Sequence, residues 1–152
     1  MSLKTQIGDD IKAAMKAKDK VRLVAVRSIK KVILEKEVEA RVEGRDELTE
    51  AEETELLVQQ AKQRRDSIEQ YGKAGRDDLV EQEAQELAII EEYLPKQLTD
   101  AEVTAVITEI VAQVGATSPK DMGKVMGPAM QRLKGQADGK KVQSLVKAAL
   151  GG

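Results

Sequence analysis

Apolar residues recur three and four positions apart along almost the whole chain, and nowhere do they alternate convincingly with a period of two. Leu3, Ile7, Ile11 and Met15 form one stripe. Val21, Val24, Val26, Ile29, Val32 and Ile33 form a wider one, which predicts a helix contacted from two sides and so the central helix of its bundle. The β-branched content of that segment suits a strand, but its interleaved Lys and Arg and the continuation EKEVEAR favour a helix. Gly44 breaks the pattern. Thr49, with Glu52 three residues on, is a capping box opening a third helix whose inner face carries Leu57, Ala61, Ile68 and Tyr71. Gly72 and Gly75 bracket a turn. A fourth helix directs Leu79, Val80, Ala84, Leu87 and Leu94 inward and ends at Leu94-Pro95, because proline restricts the residue before it and has no N–H.

A second capping box, Thr99 with Glu102, opens a fifth helix. Val103, Val106, Ile107, Ile110 and Val114 face inward, and Gly115 closes it. Ser118-Pro119 starts a sixth, carrying Met122, Val125, Met126, Met130 and Leu133, with a kink or break expected at Pro128. Gly135 stops it, and Asp138 caps a last helix bearing Val142, Leu145, Val146 and Leu150. The expected fold is all-α: a four-helix N-terminal domain (1–96) and a small three-helix C-terminal domain (97–152), with the boundary at Pro95–Leu98. No internal repeat or low-complexity segment interrupts this layout.

Composition narrows the chemistry. A length of 152 residues suits one domain or two small ones. With no Cys there is no disulfide, thiolate nucleophile or Cys-ligated metal; with no His there is no imidazole base, triad or His ligand. Tyr71 and Tyr93 are the only aromatics, so base-stacking platforms are lacking. What remains favours a binding or scaffolding protein over an enzyme, and no cofactor is expected. No apolar run approaches the ~18 residues of a membrane span, so no membrane partner is expected. The N-terminus MSLKTQIGDDIK is amphipathic and carries acids, unlike a signal peptide. A cytoplasmic protein is the expectation.

The net charge of −2 conceals segregation. Residues 1–41 hold 11 basic and 6 acidic groups, residues 42–102 hold 7 and 18, and residues 103–152 hold 7 and 3. Such asymmetry suits one surface for an anionic partner and another for a protein partner of the acidic N-terminal helices. For the acidic block a solvated helix face is an equal alternative, since acids near a helix start favour its dipole. The C-terminal bases Lys120, Lys124, Arg132, Lys134, Lys140, Lys141 and Lys147 gather around glycine-containing turns.

Several segments bear on chemistry. Gly135-Gln-Ala-Asp-Gly139-Lys140-Lys141 superficially resembles a phosphate loop, but it has three residues between its glycines, a second Lys in place of Ser/Thr and no preceding strand. Nucleotide hydrolysis is rejected. The segment offers either backbone N–H groups and two Lys to an anion such as RNA phosphate, or an ordinary helix junction. Gly123 and Gly127 lie on one helical face, where close helix packing is the favoured role and close approach of a ligand backbone the alternative. Arg64 and Arg65 cannot share a face, so one is expected to pair with an acid while the other is exposed. Asp77-Asp78 and Glu91-Glu92 suit solvated faces better than a Mg²⁺ site, and no motif marks Ser67 as a nucleophile. No metal site is expected.

The segment KQRRDSIEQYGKAGRDDLVEQEAQELAIIEEYLPKQL (62–98), with DMGKVMG (121–127) and KGQADGKKV (134–142), resembles the YqeY-like family. That family is related to the tail of GatB, the B subunit of the tRNA-dependent Asp/Glu amidotransferase, and the resemblance covers essentially the whole chain. It implies an all-helical N-terminal domain followed by a small helical C-terminal domain. It also brings a glutamine-dependent carbon–nitrogen ligase label, but glutamine hydrolysis belongs to the amidase subunit and the kinase-like step to the GatB cradle, and this chain has neither module. What transfers is the tail's part in recognising tRNA. It falls chiefly on Lys124, Lys134, Lys140 and Lys141, with Gly123, Gly127, Gly135 and Gly139 as shape determinants. The leading expectation is a non-catalytic tRNA-binding or accessory protein. A protein–protein adaptor and an amidotransferase in its own right are the alternatives.

Overall fold

The structure, a computed structural model, describes residues 1–151. These form seven α-helices and one 3₁₀ turn, with no strand among the described residues. The chain divides into two compact units, Met1–Leu94 and Pro95–Gly152.

The first unit contains α1 (Leu3–Ala17), α2 (Lys20–Val42), α3 (Glu50–Lys73) and α4 (Asp77–Glu91). Short polar side chains start the first three helices: Ser2, Asp19 and Thr49 accept from the backbone N–H groups of Thr5, Arg22 and Glu52. At Thr49 the Glu52 carboxylate reciprocates, completing the expected capping box. Helix α2 packs against each of the other three, and α3 packs along α4. Ile7, Val26, Ile29, Ile33, Leu57, Ala61 and Ile90 are buried where these faces meet, each large aliphatic contributing roughly 1.5–3 kcal/mol.

Not every apolar residue turns inward. Val26, Ile29 and Ile33 line the core, but Val21 and Val24 stand on the outer side of α2, and Met15 is also exposed. Ala84 on α4 is exposed, while Glu86 is buried in that helix. Helix α4 ends at Glu91, ahead of Leu94-Pro95, and turns lead to the proline.

The second unit packs α5 (Asp100–Val114), α6 (Met122–Leu133) and α7 (Gly139–Ala149) against one another. Helices of 11 to 15 residues are marginal alone. They are held by a shared core including Val103, Ile107, Ile110, Val125, Leu133, Val142 and Val146. The Thr99–Glu102 capping box forms, and Gly115 ends α5 in the left-handed region at φ +68°. Val114 is exposed instead of inward. A 3₁₀ turn, Pro119–Asp121, leads into α6. Helix α6 continues through Pro128 without the expected break. Pro128 is on the exposed side, where the Lys124 carbonyl that loses its donor can be hydrated.

The α6–α7 loop is fixed from within this unit. Leu98 N–H donates to the Gln136 carbonyl at 2.9 Å, and Gln97 Nε2 donates to the Gly135 carbonyl at 2.6 Å. Gly135, at φ +78°, takes the left-handed turn between the helices.

Candidate nucleic-acid interface

The second unit presents a basic face built on α6. Val125, Ala129 and Leu133 bury the inner side of that helix. Lys124, Gly127, Gln131 and Lys134 follow one another at spacings of three, four and three on the opposite side, and all four are exposed. Lys120, in the preceding turn, continues the row. A Cβ added to Gly123 or Gly127 would meet nothing within 4 Å. The expectation that these glycines serve close helix packing is therefore not met: their bare backbone faces outward. Gln131 was missed, although its spacing from Lys124 and Lys134 places it on the same face.

The row itself holds no carboxylate. The nearest in sequence, Asp121, accepts from the Thr117 N–H at 2.9 Å and approaches Lys124 Nζ at 3.6 Å. The Thr117 hydrogen bond, followed by the Lys124 charge, keeps the Asp121 carboxyl below its ordinary range. Among the described residues Lys120 has no ion-pair partner.

The other C-terminal bases lie elsewhere on the unit. Arg132 turns to α5 and meets Glu109 at 3.2 Å. Lys140 and Lys141 occupy the first turn of α7, where Lys141 reaches Asp100 at 2.8 Å. Both ion pairs are exposed, and such pairs contribute about 0–1 kcal/mol, so a phosphate can replace the carboxylate at little cost. Asp138 occupies the N-cap position of α7 but makes no side-chain cap bond. Gly139 begins α7 close to Met130, whose Cε would lie 3.4 Å from an added Cβ.

Several members of the acidic block are engaged in ion pairs. Arg64 lies 3.1 Å from Glu83 and 2.8 Å from Glu86, and Arg65 meets Glu91 at 3.3 Å. Both arginines are paired, whereas one was expected to be exposed. Asp78 pairs with Arg76, and Glu92 with Arg22. Tyr93 donates its hydroxyl to Asp10, and burial followed by that carboxylate pushes the phenol well above its ordinary value. Among the described residues no group of three acids is arranged to hold a metal ion. A groove of about 760 Å³ runs between α2 and α3, with Gln60 and Arg64 on its wall. Sequence gave no sign of it, because Gln60 lies where the helical period places an apolar residue. No helix is long and apolar enough to cross a membrane among the described residues.

The family model for "Yqey-like protein" matches residues 4–150. Curated relatives are yeast proteins named "Altered inheritance of mitochondria protein 41, mitochondrial". The one from Lachancea thermotolerans is 36% identical over 112 residues, covering 72% of this chain and 58% of the relative. The one from Kluyveromyces lactis is 36% identical over 107 residues, covering 66% and 56%. That of Saccharomyces cerevisiae strain YJM789 is 31% identical over 134 residues, covering 88% and 62%. The chain thus spans roughly three-fifths of the length of these relatives. Their names overturn the expectation of a cytoplasmic protein: each is named as mitochondrial. With the family match running across nearly all of its length, this chain belongs to the YqeY-like family.

Proposed function

We propose that the protein is a non-catalytic accessory factor that binds tRNA through the α6 face of its C-terminal unit. The observation that carries this reading is the exposed row Lys120, Lys124, Gly127, Gln131 and Lys134 on the outer side of α6. Two outward glycines there let a sugar–phosphate backbone approach the helix closely, and the lysines supply its counter-charges. Lys140 and Lys141 add a second phosphate contact at the start of α7, where the helix dipole also favours an anion. Without aromatic side chains in this unit, recognition rests on backbone and shape rather than base stacking. The N-terminal unit is then a YqeY-type helical domain whose acidic surface spaces the RNA-binding unit or engages a protein. The C-terminal unit is the counterpart of the GatB tail.

The test is a salt titration of binding to bulk tRNA, with wild type beside Lys124→Glu/Lys134→Glu and Lys140→Glu/Lys141→Glu. Wild type is expected to bind with a steep salt dependence. Each pair of substitutions should weaken binding and reduce the log–log salt slope by roughly one per lost phosphate contact. Absence of binding at low salt by the folded protein refutes the proposal and directs attention to a protein partner of the acidic helices.

A further inference from the structure

The groove between α2 and α3 holds a polar group that the fold leaves unsatisfied. Gln60 lines this groove and is only 8% exposed. Its carboxamide meets no hydrogen-bond partner among the described residues. A buried amide in that state is unfavourable, and its complement must offer both a donor and an acceptor. The groove is tied at both ends. Residues 43–49 turn α3 back along α2. At one end Arg64, held by Glu83 and Glu86, donates to the Ser28 hydroxyl at 3.4 Å. At the other, Arg45 holds Glu52 at 2.6 Å. The rise of α2 from Ser28 to Glu39 makes the groove about 16 Å long.

The lining selects the occupant. A volume of about 760 Å³ over that length gives a mean width of about 8 Å. That is narrower than a helix, about 10–12 Å across with its side chains, and suits about five residues of extended chain. Aliphatic lining is confined to Val32 and Leu56, so an apolar ligand gains little. Glu35, Glu39, Glu52 and Glu55 outnumber Lys31 and Lys36, and Arg64 is already offset by two carboxylates, so a phosphate backbone is opposed. Lys36 is engaged with Glu39 at 3.1 Å, and Glu55 accepts from Gln59 at 3.2 Å. Lys31 and Glu35 have no ion-pair partner among the described residues. They stand one turn apart on the α2 wall, with Cβ atoms about 6 Å apart. In an extended chain, residues two apart point to the same side at nearly that spacing, about 6.6 Å. We propose that the α2–α3 groove binds an extended peptide segment of a partner protein, its main chain bonded to Gln60 and an acidic and a basic side chain, two residues apart, set on Lys31 and Glu35. A peptide carbonyl accepts from the Gln60 amide, and a peptide N–H donates to its oxygen. Gln63, exposed on the same wall and also unbonded, serves the next main-chain group. The proposal stands independently of tRNA binding by the second unit.

The experiment is amide NMR of the full chain at low salt with blocked pentapeptides. Two carry mixed charge, acetyl-Ala-Glu-Ala-Lys-Ala-amide and acetyl-Ala-Lys-Ala-Glu-Ala-amide, because either chain direction satisfies Lys31 and Glu35. Two more carry Glu or Lys at both positions. Short peptides bind weakly, so the titration extends to about 10 mM. A mixed peptide is expected to bind best and to shift amides from Ser28 to Glu39 and from Glu52 to Arg64, together with the Gln60 side chain. Gln60→Leu should weaken every peptide roughly tenfold and keep that preference. Lys31→Glu should move the preference to the doubly basic peptide and Glu35→Lys to the doubly acidic one, each weakening the mixed peptide roughly threefold. Circular dichroism checks that each substitution leaves the fold intact. No shift in the groove at the highest concentration, a wild-type preference for a like-charged peptide, or unchanged binding by Gln60→Leu would each overturn the proposal. So would shifts in the groove caused by tRNA and by none of the peptides.

Discussion

Replacing Arg64 by Met tests how the first unit tolerates charge in its interior. The Arg64 guanidinium serves two carboxylates at once, Glu86 at 2.8 Å and Glu83 at 3.1 Å. The Glu86 side chain is only 5% exposed and that of Glu83 13%. Arg64 donates to Glu83 at 3.1 Å and to Ser28 at 3.4 Å, while its Nε and one Glu86 oxygen lack a well-formed hydrogen bond, so the Glu86 contact rests mainly on charge. Removing one member of a buried pair typically costs ~3–5 kcal/mol, because the remaining charge loses its partner without regaining water. A fifth of the Arg64 side chain already reaches solvent, which lowers the expected loss to about 2–3 kcal/mol. Urea unfolding followed by tyrosine fluorescence is the assay: both tyrosines lie in the first unit and the chain has no tryptophan, so the second unit is silent. With a denaturant slope near 1 kcal/mol per molar, the midpoint should fall by about 2 M. Arg64→Met/Glu86→Leu should recover more than half of that loss, since apolar replacement of a buried pair is often neutral. A single-variant shift below about 0.5 M, or a double variant worse than the single, refutes the reasoning.

Other consequences are open to direct measurement. Thr49→Ala removes the side-chain half of the α3 capping box and should cost about 1 kcal/mol in the same urea assay. Hydrogen bonding to Arg45, then to the Thr49 N–H, holds the Glu52 carboxyl down to about 2. Its stabilising effect is thus fully present above the ordinary carboxylate range and is lost as pH falls toward 2, which a carboxyl NMR titration of Glu52 can follow. Tyr93 has the opposite sign: its raised phenol stabilises the first unit below the ordinary tyrosine value, and that contribution fades only as pH climbs through the elevated one. Ultraviolet titration of Tyr71→Phe should therefore show no phenolate until well past the ordinary tyrosine range. Gly123→Ala/Gly127→Ala fills open space on a helix and should leave the second unit as stable or up to about 1 kcal/mol more so. It should nevertheless weaken tRNA binding, and that divergence, read by thermal melts beside anisotropy, separates a contact role from a folding role.

Two helix starts were legible because their causes are local, whereas Ser118 and Asp138 make no side-chain cap bond and α6 begins only at Met122, after a 3₁₀ turn. Thr49 with Glu52 and Thr99 with Glu102 carry donor and acceptor within one turn, and Gly115 supplies the left-handed residue its helix end requires. The interior of each helix was less legible, because periodicity gives a face but not what lies against it. Val21 and Val24 satisfied the helical period of α2, yet they lie on its outer side. Glu86 was assigned to no face, since only a guanidinium from another helix makes its burial tolerable. The partners of Arg64 and Arg65 lie 19 to 26 residues away, beyond the reach of local patterns. Of the candidate site, the lysines and the helices that carry them were readable, but the side of each helix they occupy was not. The outward aim of Gly123 and Gly127 followed only once Val125, Ala129 and Leu133 fixed which side of α6 is buried.

The claim that α6 carries the RNA-binding face is tested most directly by backbone amide NMR of the full chain with bulk tRNA at low salt. The account predicts the largest perturbations at Gly123, Lys124, Gly127, Gln131 and Lys134, a second set at Lys140 and Lys141, and almost none along α3. Perturbations centred on α3 or α4, or none at any tRNA concentration, would contradict it.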